Sequence, residues 1–223
     1  MKVAIVDDHQ LFRKSLAHLL NSFEDIQVVF QANNGKEFLD SLKDIDIDLV
    51  LLDIQMPEMN GFQTCKVLRE KYPNIYVLII SQLTTKESIH KVMELGAHGF
   101  FTKNSDPDQL QTAIISIKDN GYYFGQELGS IIREIMLWDN KKINGEETDL
   151  VEIDENCLTT REIEIIKLVS KGSSSKEISK VLGINVRTVE THRKHIIDKT
   201  SAKNFIGVVI FALRHQLITI DEI

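Results

Sequence analysis

Apolar residues recur along this chain in two ways. In the first half, short unbroken apolar runs alternate with longer stretches in which apolar residues return every three or four positions; in the last third the second pattern prevails. The runs are Lys2 to Asp8, Gln27 to Ala32, Asp48 to Asp53, Ile75 to Ser81 and Phe100 to Thr102. Such runs fit strands buried on both faces, as in a parallel sheet covered by helices. Between them, His9 to Asn21 is read as a helix with Leu11, Phe12, Leu16, Leu19 and Leu20 on one side. Gly35 to Lys43, Gly61 to Lys71, Lys86 to Leu95 and Asp106 to Asn120 are read as further helices. Five strand–helix repeats predict an α/β domain with a doubly wound five-stranded parallel sheet. Local signals agree: Asn34 can cap the second helix, Gly96 can end the fourth, and Pro107 suits the first turn of the fifth.

Tyr122 to Trp138 has helical periodicity, and Asp139 to Asn156 is polar and acidic with an Asn144-Gly145 turn signal, so 121–156 is expected to connect two domains. Beyond it, Thr159 with Glu162 and Ser174 with Glu177 form two capping boxes, each opening a short helix. Those helices end at Gly172 and Gly183; Asn185 can cap a third, with Ile184 able to staple onto Val189. Val186, Val189 and Ile196 are its expected core positions, while Arg187, Glu190, Thr191 and Lys194 share the opposite face. Two short helices broken at a glycine, the second more basic, predict a helix-turn-helix in a small all-α domain. A last helix, about Lys203 to His215, carries Ile206, Val209, Ile210 and Leu213.

The chemistry lies at strand ends. Asp7 and Asp8 close the first run; Asp53 closes the third, where Pro57 and Gly61 then prevent the strand from continuing. Open α/β sheets place their chemistry at the carboxyl ends of strands. Three carboxylates gathered there repel one another unless a divalent cation lies between them, and oxygen ligands select a hard ion such as Mg²⁺. Such an ion keeps coordination sites free for a phosphoryl group.

Charge changes the picture of the C-terminal part. The chain of 223 residues has a net charge of −7, yet Cys157 to His215 holds 11 Lys and Arg against 5 Asp and Glu, which points to a polyanionic partner. An apolar content of 43% is ordinary for a soluble protein. No signal peptide is evident and no apolar run approaches the ~20 residues of a membrane span, so a cytoplasmic location away from membranes is expected. Cys65 and Cys157 show no metal spacing and are read as structural thiols, and His192 and His195 lack accompanying cysteines.

Asp7 and Asp8, Asp53 with Pro57 and Gly61, Ser81, and Lys103 stand at intervals that resemble the receiver domain of two-component response regulators, over residues 1–120. That resemblance implies a flavodoxin-like fold in which Asp53 accepts a phosphoryl group. It implies that Mg²⁺ is held by Asp8, by Asp7 partly through water, by Asp53, and by the backbone carbonyl of Gln55. Lys103 would contact the phosphoryl oxygens, and Ser81 with the ring of Phe100 would carry the signal. Gln82 replaces the small residue usual after Ser81, and Gln55 and Leu83 occupy places that influence acyl-phosphate lifetime.

The segments LTTREIEIIKLVSKG, SSKEISKVLGI and TVETHRKHI resemble the LuxR-type helix-turn-helix of the NarL/FixJ class, within 157–223. By that resemblance Arg187, Thr188, Val189 and Glu190 approach base edges, Thr191, His192, Arg193 and Lys194 touch bases or phosphates, and Lys176 lies on the backbone. Ile206, Val209, Ile210 and Leu213 would form a dimer contact, and Thr200 stands where the class has an apolar residue. The implied protein is no enzyme but a transcription factor. Its partners would be a sensor histidine kinase, double-stranded DNA and, when phosphorylated, a second copy of itself. A degenerate receiver that never takes phosphate is an alternative within this class; a small-ligand-sensing LuxR-type regulator is one from another class, which the five repeats and Asp53 oppose. A Mg²⁺-dependent phosphatase would need a DxD motif on the first strand, which Asp7-Asp8 does not supply.

Overall fold

A computed structural model describes residues 1–82, 85–123 and 158–219. The chain divides into two compact units, Met1–Gly125 and Gln126–Ile223. Most of the connecting helix and linker expected over 121–156, together with Cys157 and Leu83, lies outside the described residues; Tyr122 and Tyr123 are described and are not helical.

The first unit alternates β1 (Lys2–Val6), α1 (Gln10–Asn21), β2 (Gln27–Ala32), α2 (Gly35–Ser41), β3 (Leu49–Leu52), α3 (Gly61–Lys71), β4 (Tyr76–Ser81), α4 (Lys86–Leu95), β5 (Gly99–Thr102) and α5 (Pro107–Asn120). The strands form one parallel sheet ordered β2-β1-β3-β4-β5. All four residues of β3 are buried, as are all four of β5. A strand covered on both faces tolerates apolar residues at every position, which is why the runs show no alternation. One core cluster packs Leu16, Ala17 and Leu20 of α1 and Leu110, Ala113, Ile114 and Ile117 of α5 against the sheet.

The expected caps are present. Asn34 accepts from Glu37 N at 2.9 Å, Gly96 ends α4 in the left-handed region, and Pro107 stands in the first turn of α5. One helical assignment needs correction: Leu11 is 81% exposed. At about 100° per residue it lies opposite the stripe formed by Arg13, Leu16, Ala17 and Leu20.

In the second unit, α6 (Thr160–Ser170), α7 (Ser175–Leu182), α8 (Val186–Thr200) and α9 (Phe205–Arg214) pack around Ile165, Ile166, Val169, Ile178, Val189 and Ile196. Both capping boxes form, and Asn185 caps α8. Gly183, in the left-handed region, ends α7 and turns the chain into α8. Glu162 does more than cap. It is buried, accepts from Thr159 N, and pairs with Lys199 Nζ at 2.7 Å, fastening the start of α6 to the end of α8. Burial opposes its charge, but Lys199 and the Thr159 donors together hold its carboxyl below the ordinary value. Thr200 is accommodated because its hydroxyl donates to Ile196 O at 2.8 Å. Val186, expected in the core, is partly exposed instead.

A buried histidine ties the amino ends of β4 and β5 together. His98 Nδ1 accepts from Val77 N at 3.0 Å, His98 N donates to Val77 O at 2.8 Å, and the ring meets Tyr76 edge-on. Burial, aided by Arg69, lowers its pKa to about 3, so the ring is neutral in the native protein. An unfolded chain takes up this proton near the ordinary 6.5, whereas the native state resists it down to about 3. Stability is therefore complete above that ordinary value and is lost as pH falls, by up to about 1.4 kcal/mol per pH unit. The variant His98→Phe is expected to lose roughly 1–3 kcal/mol at neutral pH, because Val77 N is left without an acceptor. Its stability should also depend less on pH between 6.5 and about 3. Denaturant titrations and Val77 amide exchange at several pH values check both.

Candidate functional site

The sheet order makes β1 and β3 neighbours, and their register pairs Val6 with Leu52. The next residue on each strand is Asp7 and Asp53, so the two carboxylates emerge side by side at the carboxyl edge. Asp53 N donates to Val6 O at 2.9 Å and Asp7 N to Ala32 O at 3.1 Å, which continues the ladder to the point of chemistry. On the other flank, the pairing of Ser81 with Thr102 brings β4 and β5 to the same edge, and Lys103 N donates to Ser81 O at 3.0 Å.

Lys103 spans the pocket. Its ammonium lies 2.6 Å from Asp7 Oδ2 and 2.7 Å from Asp53 Oδ2, with all three side chains 5% exposed or less. The Phe12 ring centroid is 4.7 Å from the same nitrogen. Behind it, Lys103 borders a largely apolar cavity of about 180 Å³ lined by Phe12, Leu16, Phe101 and Leu110. Burial opposes the ammonium's charge, yet the two carboxylates together raise its pKa. Burial also raises the pKa of Asp53, reinforced by Asp7; the Lys103 contact and the Ile54 N bond at 2.7 Å only partly offset it.

Asp8 is more open and faces a hollow of about 600 Å³ bordered by Gln55, Met56 and Pro57. Oxygens of Asp7, Asp8 and Asp53 and a ring nitrogen of His9 all lie within 4.8 Å of one another. Three ionised carboxylates against one ammonium leave two negative charges, which a divalent cation matches, and oxygen donors suit Mg²⁺. The donor set therefore fits such an ion, and the exposed Gln55 stands beside it.

Gly61 shapes the floor. A Cβ there would stand 2.1 Å from Asp53 O, so only glycine lets α3 start against the β3 terminus. Ahead of it, Glu58 takes φ 61 and Asn60 closes a capping box with Gln63.

Ser81 is buried at this edge, and Phe100, two residues before Thr102 on β5, is buried as well, so the ring expected to move is packed inward here. The sequence reading missed two residues. His9 Nδ1 is 3.0 Å from Asp8 Oδ1, and Arg13 donates to Asp7 O and, at 2.8 Å, to Asn33 Oδ1. His9 follows the acidic pair directly, but Arg13 looks like an ordinary surface position of α1 until its reach across to the sheet edge is known.

On α8 the outward face carries Arg187, Thr188, Glu190, Thr191 and Lys194, with His192 half-buried, and Lys176 is exposed on α7. Two residues expected at the DNA are not on that face. Val189 is fully buried, as its core periodicity required, and Arg193 turns inward to donate to Ser175 Oγ at 2.9 Å with its guanidinium 5.0 Å from the Phe205 ring. The expected dimer set is corrected as well. Ile206, Val209 and Leu213 are buried in the unit's own core, which leaves Ile210 partly exposed on α9.

A five-stranded parallel α/β unit with this acidic edge, followed by a helix-turn-helix unit, defines a response regulator with a DNA-binding output domain. Comparison with known proteins supports it: residues 3–115 match the response regulator receiver domain, and residues 156–212 match bacterial regulatory proteins of the luxR family. The chain belongs to this family and is a response regulator transcription factor. It is 31% identical to the oxygen regulatory protein NreC of Staphylococcus epidermidis, covering 98% of this chain and 99% of that protein. A LuxR-family response regulator from Aurantimonas sp. SI85-9A1 aligns over 61% of this chain and 97% of its own, with 26% identity and a TM-score of 0.57. The RcsB response regulator of Salmonella typhimurium shares the fold at 20% identity and a TM-score of 0.55, over 95% and 97% of the two chains. Among the described residues no helix is long and apolar enough to cross a membrane.

Asp53→Asn tests the charge balance. Because the native state keeps the Asp53 proton to higher pH than the unfolded chain, stability falls as pH rises through that interval and stays lower above it. Removing this charge is expected to raise the denaturation midpoint at neutral pH without added metal. A lower midpoint would show that the Lys103 contact outweighs burial.

Proposed function

We propose that Asp53 is the phosphoacceptor through which a sensor histidine kinase controls DNA binding by the C-terminal unit. The observation that carries this reading is the Asp7–Lys103–Asp53 contact inside an acidic, cation-ready edge. A carboxylate oxygen of Asp53 forms the new bond to phosphorus as the bond from phosphorus to the donor breaks, and the donor atom retains that electron pair. Lys103 needs only to exchange a carboxylate partner for phosphoryl oxygens, so its charge is in place before the reaction. Asp7, Asp8, Asp53 and the Gln55 carbonyl would hold Mg²⁺, which supplies neutralisation of phosphoryl charge when bound. Ser81 would donate to the phosphoryl group, and Phe100 would respond by repacking.

For output, Lys176, Arg187, Thr188, Glu190, Thr191, His192 and Lys194 present donors and charge to DNA. Their phosphate contacts would set affinity and their base contacts sequence choice. Pairing of two copies would use the Ile210 side of α9. A change from 1:99 to 99:1 active requires phosphorylation to favour the active state by about 5.5 kcal/mol, and a dimer divides this between two phosphates.

Incubation with a small phosphodonor and Mg²⁺ is expected to label the wild type and not Asp53→Asn, read by intact mass under non-acidic conditions; equal labelling would remove Asp53 from this role. Mg²⁺ at about 100 times its dissociation constant should stabilise the wild type by about 2.7 kcal/mol. Lys194→Ala should weaken binding to all duplexes and reduce the salt slope by about 1. An unchanged slope would show that Lys194 touches no phosphate.

A further inference from the structure

Glu190 is an acidic residue among cations on the face proposed to meet DNA. A carboxylate approaching a phosphate backbone is repelled, so its presence there needs a compensating donor. Its Oε1 accepts a hydrogen bond from Ser175 Oγ, and the same hydroxyl accepts from Arg193 Nη1 at 2.9 Å. Arg193 Nη1 is also 3.8 Å from Glu190 Oε1. Ser175 and Arg193 are buried, and the guanidinium is held over the Phe205 ring. The Glu190 side chain itself is 53% exposed, and its Oε2 carries no hydrogen bond among the described residues. One carboxylate oxygen is thus anchored from inside the unit while the other remains available.

The major groove decides what that oxygen can meet. Guanine presents two acceptors there and thymine an acceptor with a methyl group, and both reject a carboxylate. Adenine has a donor beside an acceptor, whereas cytosine offers its N4 amino donor without one. We propose that Glu190 is a specificity-determining residue that accepts from cytosine N4 through Oε2, with Ser175 and Arg193 as positioning residues. This rests on the reading of α8 as the DNA-contacting helix.

Selection of bound duplexes from a randomised pool tests it, using the full chain loaded with Mg²⁺ and a phosphoryl mimic. Wild type is expected to enrich a C·G pair at one position of each half-site. E190Q should lose that preference by at least about tenfold and turn toward adenine, which a side-chain amide matches. S175A should lower discrimination at the same position several-fold while leaving the affinity for a random duplex and the salt slope unchanged. Loss of merely structural support would lower all three together. Identical selections by wild type and E190Q would overturn the assignment, as would an S175A that loses random-duplex affinity in step with discrimination. Failure of the wild type to enrich any sequence would instead overturn the underlying DNA-binding reading, and the assignment with it.

Discussion

A single buried ammonium holds the carboxyl edge of the sheet together. Lys103 bridges Asp7 and Asp53, the terminal residues after two adjacent parallel strands, and without it two carboxylates would face each other away from water. Removing the ammonium would strand two buried carboxylates, a loss of the kind that commonly costs about 3–5 kcal/mol. Once Asp8 is counted, the one ammonium offsets only one of three carboxylate charges. Burial lifts the Asp53 pKa despite the ammonium, and the neighbouring Asp7 adds to it. The same deficit that makes the edge unfavourable in isolation suits it to a divalent cation.

Much of the surrounding structure serves to keep this edge in register. The Val6–Leu52 pairing sets the two aspartates abreast, Gly61 lets α3 begin against the Asp53 carbonyl, and Arg13 secures the Asp7 carbonyl from α1. At the opposite end of the sheet, His98 supplies a neutral acceptor to Val77 where a charged ring would disrupt β4 and β5. In the second unit, Glu162 with Lys199 fastens the start of α6 to the end of α8, and Ser175 with Arg193 places Glu190. In both units buried charge is used for placement and is matched by a named partner.

The strands and helices were legible because burial on both faces of a parallel sheet leaves a clear mark, an apolar run ending in a carboxylate. The capping boxes at Thr159 and Ser174 were equally plain, since their chemistry is local. What sequence could not give was depth. Leu11 is apolar yet faces outward, Val189 falls inside despite its place in a DNA-contacting motif, and three of the four apolar residues expected at a dimer contact complete the core of their own unit. Arg193 illustrates the reason: a long cationic side chain can snorkel outward or turn in toward a hydroxyl and a ring, and only the positions of Ser175 and Phe205 decide. His9 and Arg13 went unread for the same reason, because their partners come from other parts of the fold.

The link between the acidic edge and DNA is tested most directly by titrating the full chain with a specific duplex, with and without Mg²⁺ and trifluoroberyllate as a phosphoryl mimic. The expected result is a gain in affinity of at least about tenfold, or ~1.4 kcal/mol, in the wild type and none in Asp53→Ala. Equal affinity of the wild type under both conditions would contradict control of the helix-turn-helix unit from Asp53.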